Sequence, residues 1–539
     1  MKCLSNYKLF TIITLFIFSC QNEPIACDVL IYNGTVYDGS GEKPYLGSVG
    51  ITDDKITYVG KNTRFEADTI IDATNLSISP GFINMLSWGY SSLMEDGRSL
   101  SDLKQGVTLE VFGEGVSPGP YVQDGERFSF KHAMEALENS GVSTNIASFL
   151  GATTARMMEV GFENRPATEK EMEKMKQMVQ ESMEQGAMGI GSSLIYAPAD
   201  YAPTQELVEL CRVASKNGGM YISHMRNEDN LLMEALEELI TISKEADIPS
   251  QIYHLKASRE PNWHLLDTLI QRVEEVRSEG LKITADIYTY NASSTGLTGV
   301  IPTWVQEGGH NAWINRMKDP NVRPRLLEDI RKQLAEQPPE GILMVGFNNP
   351  EMSKKYLTKT IAQAAKTRGQ SPEEAIVDMV IEDDSRIQCI YFSMSEDNIR
   401  KKLKLPWVSF CSDAGSYSDT TKTFRTHPRA FGSFARVLGK YARDEQLISV
   451  AEAVRKLSGF PANNLKLKGR GMLRENYYAD VVVFDEKKIN DKATFEKPLQ
   501  FSVGVNHVLV NGTPVLLNSE HTNKFTGRYV KGPGYIEQE

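Results

Sequence analysis

Residues 204–258, TQELVELCRVASKNGGMYISHMRNEDNLLMEALEELITISKEADIPSQIYHLKAS, alternate between two patterns that decide the fold. Apolar side chains recur at helical spacing in QELVELCRVASKN and in LLMEALEELITISKEA, and each segment is followed by a short apolar run, MYISHM and SQIYHL. Such βα units of about 30 residues recur through the middle of the chain and favour a parallel sheet. We therefore expect a (β/α)8 barrel. A doubly wound sheet is the alternative, weakened because no glycine-rich phosphate loop follows any strand.

The two ends of the chain differ in pattern from its middle. Short runs rich in Val, Ile and Tyr are broken by Asn-Gly and Asp-Gly in DVLIYNGTVYDGSG, and SVGVNHVLVNGTPVL near the C-terminus is similar. We predict one small β-sandwich from residues 26–79 and 467–535, and the barrel from residues 80–466. The barrel segment is longer than simple βα units need, so we also predict a lid-like insertion at about 295–345.

The first twenty residues indicate export. The apolar run Leu9–Phe18 follows two lysines, is too short to span a bilayer as a stable helix, and is typical of a signal peptide. Ser19-Cys20 then resembles a bacterial lipobox. We expect a signal peptide over residues 1–19 and a lipidated Cys20, which would give a membrane-anchored protein in the periplasm or at the cell surface. An ordinary cleaved signal peptide is the alternative. The formal net charge of −11 argues against nucleic acid as a partner.

Four predicted strands end in side chains that can carry chemistry: Glu114 in LEVFGEGVS, His224 in YISHMRNE, His254 in IYHLKAS and Asp413 in FCSDAG. In a barrel, the carboxyl ends of the strands converge on the face that holds active sites. Two histidines and a carboxylate suit a catalytic zinc ion with an open position, and Asp413 near it would act as general base. Each residue also has a structural explanation: a hydrogen-bonded histidine, a solvated turn at Glu114, or a helix cap at Asp413.

A series of motifs then extends over nearly the whole chain: DVLIYNGTVYDGSG, SISPGFIN, QGVTLEVFGEG, GAMGIGSSLIYAPADYAPTQEL, YISHMRNE, YHLKAS, ADIYTYNASST, SDAG, HPRAFGSFARVLGKY and ADVVVFD. In this set and order the chain resembles the D-aminoacylase (N-acyl-D-amino-acid deacylase) family of the amidohydrolase superfamily. The resemblance implies a metal-bearing barrel with a sandwich from both termini. It also implies an enzyme that hydrolyses the amide bond of N-acylated D-amino acids.

The resemblance implies roles for single residues in the metal centre. His224 and His254 match the two histidines of the tightly held metal ion, and Asp413 matches the catalytic aspartate. Glu114 stands where members of the family often have a cysteine ligand. Other amidohydrolases use a glutamate at this strand end, so Glu114 is implied as the third ligand.

The resemblance also implies substrate-binding residues. Lys256 and Arg429 match the residues that hold the substrate carboxylate, a role that suits two cations. Tyr288 and Ser294 match positions lining the scissile amide, where a hydroxyl can stabilise the developing oxyanion. The alternative for the two cations is that they pair with Glu228 or with other acids of the chain.

The chain departs from the family at the pattern Asp-x-His-x-His. The corresponding segment is Asn84-Met85-Leu86-Ser87-Trp88, so Leu86 and Trp88 stand at the two histidine positions and point to the same side of a strand. Neither side chain binds a divalent metal, which excludes a binuclear centre. A mononuclear centre remains, with one zinc ion or similar divalent metal on Glu114, His224 and His254.

Three functions are compatible with this pattern. We favour a mononuclear N-acyl-D-amino-acid deacylase. The second is an amidohydrolase for another amide, a cyclic amide or a dipeptide. The third is a non-catalytic lipoprotein that binds a small ligand in a degenerate site, which the loss of the histidine pair supports and the retention of the other polar residues opposes.

Overall fold

The computed structural model describes residues 24–61, 64–421 and 425–537. The predicted signal peptide (1–19) and lipidated Cys20 lie outside these residues. Among the helices that the structure describes, none combines the length and the apolar character needed to cross a membrane.

The middle of the chain forms a closed barrel of parallel strands, which confirms the predicted fold and excludes the doubly wound sheet. Each strand is short and fully buried. The barrel strands, labelled β1 to β8 in chain order, are Phe82–Asn84, Val107–Phe112, Asn145–Ser148, Gly189–Ser193, Met220–His224, Ser250–Ile252, Ile283–Ile287 and Val408–Phe410. After β3 the chain continues as Leu150–Gly151, which pairs with β4.

The barrel closes where β8 meets β1. Backbone N–H groups of Met85 and Asp413 donate to the carbonyls of Phe410 (3.2 Å) and Leu86 (2.9 Å). The Asn84 side chain spans the same contact, because its oxygen accepts from the Ser412 N–H at 2.8 Å. We call residues 84–88 and 410–414 the closing junction.

Strand alternation separates two layers of core. Leu109 and Val111 of β2 pack inside the barrel with Leu86, whereas Phe112 packs against the surrounding helices. The helices around the barrel are Tyr90–Glu95, Leu100–Leu103, Phe130–Ser140, Ala152–Glu159, Glu169–Glu184, Thr204–Lys216, Leu232–Glu245, Leu265–Ser278, Glu396–Leu403, Arg429–Arg436, Val450–Leu457 and Gly459–Asn464. The helix Arg429–Arg436 continues directly as the π-helix Val437–Asp444. A two-stranded hairpin, Tyr121–Gln123 and Glu126–Phe128, precedes the third of these helices.

Strands from both ends of the chain form one nine-stranded sheet beside the barrel. They are Ile25–Val36, Tyr45–Thr52, Lys55–Gly60, Phe65–Asp72 and Ser77–Pro80 from the N-terminal part, and Val481–Phe484, Val505–Val510, Thr513–Leu517 and Glu520–His521 from the C-terminal part. Ser77–Pro80 pairs antiparallel with Val481–Phe484. The two ends therefore share one hydrogen-bonded sheet and one apolar core, as the similar patterns at the two ends predicted.

A subdomain with its own apolar core lies between β7 and β8. Its three antiparallel strands are Ser293–Gly296, Ile342–Gly346 and Gln388–Tyr391, and its helices are Thr303–Gln306, His310–Lys318, Arg323–Glu336, Pro350–Tyr356, Ile361–Arg368 and Pro372–Asp383. The insertion predicted at 295–345 is therefore part of a longer unit that ends only at Tyr391. Its first strand and the turn before its last strand contribute to the cavity at the barrel mouth.

Candidate active site

Side chains from several strand ends line one cavity of about 970 Å³ at the barrel mouth. The residues predicted for the site that line it are Trp88, Glu114, His224, His254, Lys256, Tyr288, Ser294, Asp413 and Arg429. Leu86 lies instead inside the barrel and is fully buried. The structure thus brings the predicted polar residues together in one place.

The predicted ligand set converges on one point. The Oε1 atom of Glu114 lies 2.8 Å from Nδ1 of His224 and 2.9 Å from Nε2 of His254. One ligand atom from each residue lies within 4.8 Å of the others, and all three residues are buried. Two imidazole nitrogens and one carboxylate oxygen are the donors of a catalytic zinc site with an open position, so these residues fit a single divalent ion.

Two glycines turn Glu114 into the cavity. Gly113 and Gly115 have φ angles of +108° and +68°, a region that favours glycine. A Cβ atom on Gly113 would lie 2.4 Å from the carbonyl oxygen of Phe149, so no larger residue fits there. The alternative of a solvated turn at Glu114 is wrong, since the side chain is buried.

The charges of the site hold Glu114 ionised. Burial alone would raise the pKa of Glu114, but the charges and hydrogen bonds of His254 and His224 outweigh it and hold that pKa well below its usual range. For His254, burial and Lys256 lower the pKa, whereas Glu228 and Glu114 raise it further, to a net value of about 10. Lys256 Nζ lies 2.6 Å from His254 Nδ1 and can only donate to it, and His254 Nε2 faces the Glu114 carboxylate, so this imidazole bridges the lysine and the carboxylate.

Glu228 is a buried residue of the site that the sequence did not single out as functional. Its carboxylate accepts a hydrogen bond from Lys256 Nζ at 2.6 Å. It also lies 3.2 Å from His254 Nδ1 and 3.4 Å from His224 Nε2, behind both imidazoles. A carboxylate in this place orients ligand imidazoles. Its position four residues after His224 is the only, and weak, sequence signal that it belongs to the site. The structure also has the alternative predicted for Lys256, a pairing with Glu228.

Asp413 lies on the other side of the cavity and is held at both oxygens. Its Oδ2 lies 2.6 Å from an Arg429 guanidinium nitrogen, and its Oδ1 accepts from the Trp88 indole N–H at 3.2 Å. Burial raises the pKa of Asp413, and Arg429 opposes that rise. Asp413 and His254 both have positive φ, +49° and +32°, a strained conformation that is typical of functional sites.

The two predicted hydroxyls differ in availability. The Tyr288 hydroxyl donates to Met394 Sδ at 3.3 Å, a weak acceptor, and the Arg429 guanidinium lies 4.5 Å from its ring centre. The Ser294 hydroxyl donates to the Cys389 carbonyl at 2.8 Å within the inserted sheet. Tyr288 therefore has the more available hydroxyl.

A closed (β/α)8 barrel whose strand ends carry a Glu-His-His set beside a buried aspartate defines a metal-dependent hydrolase. The amidohydrolase family model matches residues 150–516. The D-aminoacylase of Alcaligenes xylosoxydans xylosoxydans is 30% identical over 94% of this chain and 98% of its own length. The chain belongs to the amidohydrolase family, and it is a hydrolase of linear amide bonds.

Two solved structures of this family have the same overall fold. One is a D-aminoacylase with a binuclear metal centre, in which one metal activates the enzyme and the second attenuates it. It has a TM-score of 0.79 at 28% identity, covering 94% of this chain and 100% of its own. The N-acyl-D-glutamate deacylase of Bordetella bronchiseptica, complexed with zinc and a phosphonate inhibitor, has a TM-score of 0.79 at 26% identity, covering 94% and 99%.

Proposed function

We propose that the chain hydrolyses N-acyl-D-amino acids with one zinc ion held by Glu114, His224 and His254. The convergence of these three donor atoms carries the proposal. The names of the relatives support the substrate class, since they are a D-aminoacylase and N-acyl-D-glutamate and N-acyl-D-aspartate deacylases.

A single ion is supported by both sides of the cavity. Leu86 and Trp88 offer no metal ligand where the second ion of a binuclear centre would bind, whereas the Glu-His-His set is complete without them. In the D-aminoacylase relative, one metal activates the enzyme and the second attenuates it. The loss of the second site is therefore compatible with activity.

One carboxylate of the site, that of Asp413, is placed to carry out both proton transfers. When bound, a divalent ion supplies Lewis-acid activation of the attacking water and of the scissile carbonyl. Asp413 takes a proton from the water as the water oxygen bonds to the amide carbon. It then gives that proton to the leaving nitrogen as the C–N bond breaks. The acyl group leaves as a carboxylic acid, which ionises, and the amino acid leaves with a free amine.

Arg429 is the best-placed group for the substrate carboxylate. Its guanidinium binds Asp413 through one terminal nitrogen and donates to the Ser294 carbonyl at 3.3 Å through the other. Its Nε is buried and has no hydrogen-bond partner in the described part of the chain, and its Nη1 meets Asp413 as an ion pair without a hydrogen bond. A free buried N–H beside the base supports a substrate with an acceptor group there.

The test uses soluble protein that begins after Cys20 and is loaded with zinc. We expect about one zinc ion per chain by plasma mass spectrometry, as a three-ligand catalytic site requires. We expect turnover of N-acetyl-D-amino acids and slower turnover of their L enantiomers. Metal-loaded protein that cleaves no member of a broad N-acyl-D-amino-acid panel would overturn the proposal.

One observation favours a second candidate, an amide substrate without a free carboxylate. Lys256 is already paired with Glu228 at 2.6 Å, so one of the two predicted carboxylate-binding cations is satisfied within the chain. The two candidates are separated by comparing an N-acetyl-D-amino acid with its C-terminal amide. Equal kcat/KM for the two compounds would favour the second candidate.

The place of action is also a proposal. The signal-peptide and lipobox pattern of residues 1–20 supports an exported enzyme anchored through lipid on Cys20. We expect the full-length protein in the membrane fraction and a Cys20→Ala variant outside it. Equal fractionation of the two proteins would contradict the anchor.

A further inference from the structure

The closing junction places residue 88 beside residue 413. The backbone N–H of Asp413 donates to the Leu86 carbonyl, and the backbone N–H of Trp88 donates to the Ala414 carbonyl, both at 2.9 Å. Ser87 and Ala414 form a parallel bridge between these contacts. Because the backbone of the barrel fixes this arrangement, the side chain at position 88 lies next to the proposed base.

Trp88 uses this position to bind the Asp413 carboxylate. Its indole N–H donates to Oδ1 at 3.2 Å, while Arg429 holds Oδ2. Indole is a donor only, so it can bind the carboxylate but cannot ligate a metal ion. Leu86, at the other altered position, has no polar atom and is buried inside the barrel.

We propose that Trp88 is a positioning residue for Asp413. Its N–H fixes the plane of the carboxylate in a barrel where no metal ion can bind at positions 86 and 88. Asp413 is buried, and its two carboxylate oxygens face two different partners, Trp88 and Arg429, which together set its orientation. This inference rests on the proposed role of Asp413 as the base of the deacylase.

The chain contains a matched control. The indole N–H of Trp304, in the inserted subdomain, donates to the carboxylate of Asp329 at the same distance, 3.2 Å. Trp304 does not line the active-site cavity. Replacing either tryptophan by phenylalanine removes one indole–carboxylate hydrogen bond, but only one of the two bonds involves the proposed base.

The kinetic test compares Trp88→Phe with Trp304→Phe in zinc-loaded protein. We expect Trp88→Phe to lower kcat by about 10- to 100-fold, as for loss of one hydrogen bond to a charged group, with KM within about twofold. Metal content and the kinetics of Trp304→Phe should stay at the wild-type values. An unchanged kcat, or a change confined to KM, would overturn the positioning role.

A second measurement needs no activity. With ¹⁵N-labelled indoles, the five tryptophans give five N–H signals, and the signal missing in Trp88→Phe is that of Trp88. We expect Asp413→Asn to shift this signal and Asp329→Asn to shift that of Trp304 instead. A Trp88 signal with the same chemical shift in Asp413→Asn as in the wild type would show that the contact is absent. If the contact is present but wild-type protein cleaves no N-acyl-D-amino acid, the proposed function fails, and the positioning role fails with it.

Discussion

The two sides of the barrel mouth have different chemistry. On the side of β2, β5 and β6, lone pairs of Glu114, His224 and His254 converge on one point. At the closing junction, Leu86 and Trp88 offer no lone pair to a metal, and Asp413 accepts the Trp88 indole N–H and forms an ion pair with Arg429. The comparison shows that the ligand set and the proposed base are built by separate strands. One side can therefore lose metal ligands while the other keeps a complete set.

The largest expected effect is on the ligand side. Glu114→Gln removes the only charged donor of the three-ligand set, so we expect metal content to fall to near zero and kcat to fall by at least about 1,000-fold. Metal analysis and turnover of N-acetyl-D-amino acids measure both effects.

Glu110 provides the control for this change. It lies four residues earlier and is also buried, but burial and the nearby Asp102 raise its pKa well above the usual range. Hydroxyls of Ser87 and Thr144 donate to it at 2.7 and 2.9 Å. Glu110→Gln should therefore keep the metal. Equal metal loss in both variants would show that Glu114 acts only through the fold.

The second prediction separates the base from the metal. Asp413→Asn leaves the ligand side intact, so we expect wild-type metal content but a kcat lower by about 10²–10⁴-fold, the usual contribution of a general base. Metal analysis of the purified variant and steady-state kinetics are sufficient. Turnover at the wild-type rate would show that Asp413 is not the base. Loss of metal would show that metal binding on the ligand side depends on Asp413.

The third prediction concerns pH. Asp413 must be ionised to accept a proton, so kcat/KM should fall as pH drops through its pKa, which burial raises above the ordinary value of 3.8. Arg429 opposes this rise, so Arg429→Gln should move the acid limb of the profile to higher pH. A profile of kcat/KM against pH for both proteins measures the shift. An acid limb that stays in place would contradict the coupling of these two groups.

The smallest effect on the site is expected from Leu86→Ala. This change leaves a void inside the barrel and should lower the free energy of unfolding by about 2–5 kcal/mol. Metal content should not change, because the Leu86 side chain has no polar atom with which to bind the metal ion or a ligand side chain. Denaturant unfolding and metal analysis test both parts. A variant that loses its metal would show that the apolar filling supports the ligand side directly.

The sequence predicted the features that depend on local pattern. The βα units predict the barrel, and Glu114, His224 and His254 lie at or just after the carboxyl ends of strands, which necessarily converge. The resemblance added Lys256, Arg429, Tyr288 and Ser294, and all four line the cavity.

The features that the sequence missed depend on contacts between distant segments. The inserted subdomain was predicted too short, because its later helices and the strand Gln388–Tyr391 have the same helix-then-strand pattern as the barrel. From the sequence Glu228 is only a salt-bridge partner of Lys256, since its approach to two imidazoles requires the loops after β5 and β6 to be folded. The resemblance implies a substrate-facing Ser294 hydroxyl, but in the structure this hydroxyl donates to the Cys389 carbonyl within the inserted sheet.

The terminal sheet also determines when the molecule can finish folding during synthesis. Ser77–Pro80 pairs with Val481–Phe484, so the first-made strands keep an unpaired edge until the last-made strands have left the ribosome. The closing junction imposes the same order on Asp413, whose strand must return to β1 across the whole barrel. Pairings of such long sequence separation are slow, and an unpaired strand edge promotes aggregation. A nascent chain that stops before Val481 should therefore aggregate and have no partial activity.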